Sequence, residues 1–450
     1  MTGVKERLSS AVHGVLQPKH LKAEWVPISS VSLQRSSHSI SVISGRAYLF
    51  GGEVNPREPV DNDMHIITLP STDDASADYQ SIPATSSSPN GEVPEKRVGQ
   101  AAAVIGERIF IFGGRGGKDM KPLEENGRVW IYDTRTDKWS FLDPLSGTPY
   151  PAARSYHSAV AIDKPEPPSR KKQVKTIPNL EEPKAGVIAA EAQTDEQMGG
   201  YGTFFIHAGC PASGRTNDIW GFDVASRTWK EFPSAPGKPR GGTSIAVARN
   251  KIWRYGGFNG ESEEGGQIDV LELGVDTFDD NVVVGGSEQE VALIACGSWT
   301  TMDFKEKGLE FPGARSVSGF HAVNTGMGNE YLILIMGERD PSNNGHNAAG
   351  KFWPDVWAFK IPSERRSYAS IKDQTWHLLG HETGQGRWSP VDVADAEGKE
   401  GDDVKDLVPR NRGWFASSGL GDLDARGVLL WGGLNEKNER EGDGWILRIK

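Results

Sequence analysis

Six arginines, Arg35, Arg97, Arg154, Arg240, Arg315 and Arg412, each open an apolar segment, and they recur along most of the chain. A guanidinium stays charged at neutral pH and presents a flat fork of N–H donors that matches the paired oxygens of a carboxylate, sulfate or phosphate. Two uses are open. Each arginine can brace backbone carbonyls of neighbouring elements, or several of them around one opening can hold an anionic small molecule. Glu338 and His346 lie close together in sequence and are candidate acid–base groups. His38 and His157 follow Arg35 and Arg154 by three residues and read as packing or bracing groups. His207 reads as a core-edge residue, and Cys210 as an inert thiol with no activating base nearby in sequence. We find no nucleophile–base motif, phosphate loop or cofactor fingerprint, so the sequence supports neither covalent nor redox catalysis.

The elements that must position these groups form a repeat. After each arginine comes an apolar run that ends in two small residues or in a Met-Gly pair: Gly51-Gly52, Gly113-Gly114, Ala208-Gly209, Gly256-Gly257, Met336-Gly337 and Gly432-Gly433. An aromatic strand follows, such as Val129–Asp133 or Val356–Phe359, and then a strand anchored by Trp139, Trp229, Trp299 or Trp376. Four strands per unit and six units predict an all-β, six-bladed propeller. The last unit lacks its Trp-bearing strand, and Trp25-Val26-Pro27-Ile28 supplies one, pairing two edges that would otherwise stay open. This places an N-terminal extension at 1–20 and one propeller at 21–450. Inserts fall at 164–198, 274–298 and 380–408. In such blades the link into the first strand and the link between strands two and three share a face. The arginines lie on that face, and so does any site.

Composition narrows the partners. A formal charge of −11 disfavours nucleic acid, and no segment has the length and apolarity of a membrane span. Two cysteines, Cys210 and Cys296, define no disulfide framework, and Met1–Lys22 holds no apolar run of signal-peptide length, so a cytoplasmic setting is expected.

The repeat resembles the kelch repeat. Read end to end, the chain further resembles the plant specifier proteins: the nitrile-specifier, epithiospecifier and thiocyanate-forming proteins. The resemblance rests on Arg35-Ser36-Ser37-His38, Gly51-Gly52-Glu53, Ser213-Gly214-Arg215-Thr216-Asn217-Asp218-Ile219-Trp220, Tyr255-Gly256-Gly257-Phe258-Asn259-Gly260, Gly337-Glu338 and Arg412-Gly413-Trp414, in order. It implies chemistry on sulfated thioglucoside breakdown products, with arginines holding the sulfate, Arg97 and Arg154 by position. It also implies iron(II), held by acidic residues and a His in the fourth-blade loop. That loop here carries Glu261, Glu264 and Asp269, candidate ligands for iron or another divalent metal, but no His. His346 lies in the neighbouring loop.

Two functions compete. One is a lyase, isomerase or cyclase acting on a reactive specialised metabolite, with Arg35, Arg97, Arg154, Arg315 and Arg412 binding an anionic substrate and Glu338 and His346 moving protons. The other is a protein-interaction scaffold anchored by Trp353, Trp388 and Trp414.

Overall fold

The computed structural model describes residues 20–28, 30–70, 77–163, 202–277, 291–306, 308–342, 348–362, 385–393 and 408–450. Six antiparallel sheets surround a central channel, and the innermost strand of each contacts the innermost strand of the next all the way round. Blade one, for example, is Ser39–Ile43, Arg46–Phe50, Met64–Thr68 and Asp78–Ile82, in that order outwards. The second strands are buried on both faces, so they read as unbroken apolar runs such as Arg108–Phe112.

Aromatic side chains fill the wedges between blades. Trp139 of blade two is fully buried, with its ring centroid 4.8 Å from Phe50 of blade one and 5.1 Å from Tyr132. Trp229 of blade three stacks edge-on against Phe112 of blade two, and its indole N–H donates to the Gly127 carbonyl at 2.8 Å. One outer-strand tryptophan thereby fastens each of these blades to its predecessor.

The ring closes as the sequence predicts. Lys22–Ile28 pairs antiparallel with Gly444–Ile449, placing Trp25 opposite Leu447. Asp392–Val393 adds a short parallel strand outside it.

Two details differ from expectation. The outer strand of blade five is Trp388–Pro390, and Trp376 lies outside the described residues. Trp388 sits opposite Phe359 and packs at 5.3 Å from Tyr255, which buries it, so it is no surface anchor. Blade four also carries an extra pairing: Gln267–Thr277 extends past the blade, and Val291–Ala295 folds back on its distal half.

The 164–198 insert lies outside the described residues.

Candidate functional site

The glycine pair and the blade-opening arginine are two halves of one joint. The second residue of each pair donates its N–H to the carbonyl of the next blade's arginine: Gly52 to Arg97, Gly114 to Arg154, Gly209 to Arg240, Gly257 to Arg315, Gly337 to Arg412 and Gly433 to Arg35. At the preceding position the backbone comes so close that a Cβ on Gly113, at φ +62°, would lie 2.5 Å from the Arg154 carbonyl oxygen. Each arginine then turns a terminal nitrogen onto the carbonyl at the first position of its own blade's pair, at 2.9–3.2 Å.

A buried guanidinium needs a counter-charge. Four receive a forked carboxylate from the third strand or the segment leading into it: Arg97 from Glu125, Arg154 from Asp218, Arg315 from Asp355 and Arg412 from Asp443. An indole N–H also donates to each carboxylate, from Trp130, Trp220, Trp357 and Trp445 in turn. Arg35 meets His65 and Asp61, and Arg240 lies 3.9 Å from Glu264. All six arginines are 0–2% exposed, and none lines the cavity described below. The structure therefore places Arg35, Arg97, Arg154, Arg315 and Arg412 in blade joints, because a carboxylate from the neighbouring strand occupies the position an anionic ligand would need.

Two residues beyond each arginine, the backbone turns left-handed at Ser37, Gly99, Tyr156, Gly242, Val317 and Trp414. Each of the first five donates its N–H to the carbonyl of the equivalent residue in the preceding blade, at 2.7–2.9 Å. This belt narrows the channel. Val317 at φ +46° is strained for a β-branched residue, and such strain concentrates where function fixes the backbone.

Over the belt opens a cavity of about 670 Å³. It lies on the face expected from the sequence, and its walls come from the residue directly after each glycine pair: Glu53, Arg115, Cys210, Phe258, Glu338 and Leu434. Arg115 donates Nε–H to Ser155 and lies 4.9 Å over the Tyr156 ring. Arg215 lies 5.0 Å over Phe258, and its buried Nε has no hydrogen-bond partner. Among the described residues no carboxylate comes within ion-pair distance of Arg115 or Arg215. Arg440, by contrast, is paired with Glu53 at 3.1 Å. Cys210 also faces the cavity, and burial raises its thiol pKa, as an unreactive cysteine requires.

Glu338, on the cavity wall, and Glu263, beside it, form a carboxyl pair. Glu338 is 7% exposed, and burial pushes its pKa up to about 7. Glu263 accepts a hydrogen bond from Ser316 at 3.0 Å. Burial, and secondarily the charge of Glu338, push its pKa up to about 8. His346 lies outside the described residues.

The fourth-blade carboxylates do not fit a metal. Glu261 pairs with Lys238 at 2.8 Å, Glu264 accepts from Asn259 at 2.6 Å, and fully buried Asp269 is committed to Arg254 at 2.5 Å and Thr301 at 2.7 Å. Each is drawn to a different partner, and among the described residues no three metal-ligating side chains converge. No described helix is long and apolar enough to cross a membrane.

Comparison with known proteins agrees with this architecture. Residues 37–165 match the model of the KLHDC2/KLHL20/DRC7 Kelch-repeats domain. The chain is 26% identical over 440 residues to the N-(sulfonatooxy)prop-2-enimidothioate sulfolyase of Thlaspi arvense, covering 95% of this chain and 98% of that protein. It is 25% identical over 241 residues to human Kelch domain-containing protein 3, covering about half of each. Among solved structures, that of YjhT superposes over 94% of this chain with a TM-score of 0.52 at 11% identity, a likeness of fold alone.

Proposed function

From its standing as a kelch-repeat β-propeller that resembles the plant specifier proteins, we propose that this chain binds an anionic small molecule in its central cavity and acts on it as a lyase, isomerase or cyclase. The observation that carries this reading is the state of Arg115 and Arg215: two guanidinium groups at a cavity, seated on aromatic rings, with no carboxylate among the described residues within ion-pair distance. Charged hydrogen bonds in a partly dehydrated site are strong, and two guanidinium forks at one cavity suit a sulfate or carboxylate group. A substrate anchored there by its charge would be oriented over the Tyr156–Trp414 floor, where the two rings meet edge-on at 5.2 Å. Orientation and stabilisation of a departing anion suffice for an elimination or rearrangement of a reactive molecule. The name of the Thlaspi arvense relative, a sulfolyase, is consistent with a sulfated substrate class. The two cysteines, free of any disulfide, suit a cytoplasmic setting.

The scaffold reading is weaker. Trp388 is buried, and Trp353 is half-buried between the guanidiniums of Arg315 and Arg339, which leaves neither as an open aromatic anchor.

The test uses 4-nitrophenyl sulfate as a probe. Arg115→Ala and Arg215→Ala should each weaken its binding at least about tenfold by calorimetry, a loss of about 1.4 kcal/mol. Undiminished binding in both variants would remove the anion site.

A further inference from the structure

Resting on the reading of the cavity as a site for chemistry, we propose that Glu338 is its proton donor, a catalytic residue facing the bound molecule, and that Glu263 is a positioning residue that keeps the proton on the pair.

The geometry is specific. Glu338 lines the cavity, and the Trp414 indole hydrogen-bonds to its carboxyl. Gly350 packs so tightly against it that an added Cβ would lie 2.3 Å from Oε1, which leaves the carboxyl little freedom to swing away. Ser316 ties the two acids together. Its backbone exchanges N–H···O bonds with Glu338 in both directions, at 3.1 and 2.9 Å, and its hydroxyl donates to Oε1 of Glu263. The other oxygen of Glu263, Oε2, is buried without a hydrogen-bond partner.

A carboxylate oxygen stripped of water and given no donor is costly when charged, so the pair retains protons. The surrounding charges act in both directions on Glu263. Glu264 and Glu338 raise its pKa, and Arg215 lowers it by a smaller effect. Burial of both acids dominates, so at and below neutral pH Glu263 holds its proton and a large share of molecules carry one on Glu338 as well, and Glu338 lines the same cavity as Arg115 and Arg215.

The step balances. The O–H bond of Glu338 breaks, and its electron pair stays on the carboxylate. The proton bonds to a basic or departing atom of the bound molecule. Glu263 remains protonated beside the new anion, and solvent at the cavity mouth returns a proton to Glu338. No redox partner is required.

The test needs no substrate. Infrared difference spectra of the unliganded protein, taken from about pH 5 to 9 across and above the ordinary carboxyl range, report protonated carboxyls directly. The wild type should show a carboxylic-acid band that fades in two steps, near pH 7 and pH 8. Glu338→Gln should delete one step and move the other to lower pH, because Glu263 loses its like-charged neighbour. Glu263→Gln should delete one step and leave Glu338 as the single acid. Glu338→Asp keeps a titrating carboxyl and should retain two steps at altered pH, which guards against a variant that merely fails to fold. A wild-type spectrum without the band, or two Gln variants indistinguishable from wild type, would overturn the proposal. If that happens while 4-nitrophenyl sulfate still binds through Arg115 and Arg215, the anion site stands and only the proton donor falls. Two steps without probe binding would leave the carboxyl pair intact and remove the anion site.

Discussion

Arg154 and Arg215 both belong to blade three, yet they occupy opposite electrostatic situations. Arg154 is 2% exposed and held by the Ala208 carbonyl and both oxygens of Asp218. Arg215 faces the cavity over Phe258, and no carboxylate among the described residues comes within ion-pair distance of it. In the first case the protein supplies the anion, and the product is a rigid joint between blades. In the second the anion is left for something else to supply. Guanidinium groups on this face therefore divide by partner, and only the unpartnered ones are free for recognition.

The largest break in that contrast comes from the joint. Arg154→Ala strands Asp218 beside a buried carbonyl and should cost about 3–5 kcal/mol of stability, read as a lowered midpoint in urea unfolding. Arg115→Ala and Arg215→Ala should leave the same midpoint within about 0.5 kcal/mol while weakening probe binding at least about tenfold, since neither completes an ion pair among the described residues. If Arg215→Ala unfolded the protein as Arg154→Ala does, the division would be false.

Smaller in size is a pH effect. Glu263 and Glu338 keep their protons to about pH 8 and 7 when folded, well above the ordinary carboxyl value. The folded state thus binds more protons than the unfolded chain between those limits. The stability they lend is full below the ordinary value, declines as pH rises towards 8, and is then level. Glu338→Gln should flatten that decline in thermal melts. His157 acts in the reverse sense. Burial drops its pKa to about 3, so its contribution is present above its ordinary value near 6.5 and lost as pH falls towards 3. The smallest expected change is Phe258→Leu, which removes the ring under Arg215. A cation–π contact of about 0.5–1 kcal/mol corresponds to a few-fold weaker probe binding.

The architecture was legible because it repeats: four Gly-Gly pairs with their Ala208-Gly209 and Met336-Gly337 counterparts, six arginines and a spare strand at Trp25 leave few alternatives. The joints were harder to read. The carboxylates that occupy the arginines sit on a different strand, and the sign was an acid two residues before a tryptophan, as in Asp218-Ile219-Trp220, Asp355-Val356-Trp357 and Asp443-Gly444-Trp445. The cavity was hidden for the opposite reason. Its wall is the position that does not repeat, so pattern matching passes over Glu53, Arg115, Cys210, Phe258, Glu338 and Leu434. Aligning the units on their glycine pairs and reading the next residue would have exposed it. Glu263 could not be found that way, because its proximity to Glu338 comes from two loops of adjacent blades meeting over Ser316.

The closing strand has a consequence for how the molecule is made. The Trp431 indole donates to the Leu33 carbonyl across 398 positions of sequence, and Trp25 waits for Leu447. At roughly 5–20 residues per second of synthesis, the strand Lys22–Ile28 waits about 20–80 s for its partner Gly444–Ile449 to be made. During that interval blade one lacks a neighbour on one side, and Ile28 and Val26 have no sheet to enter. The synthesis of Gly444–Ile449, rather than the first collapse, locks the toroid.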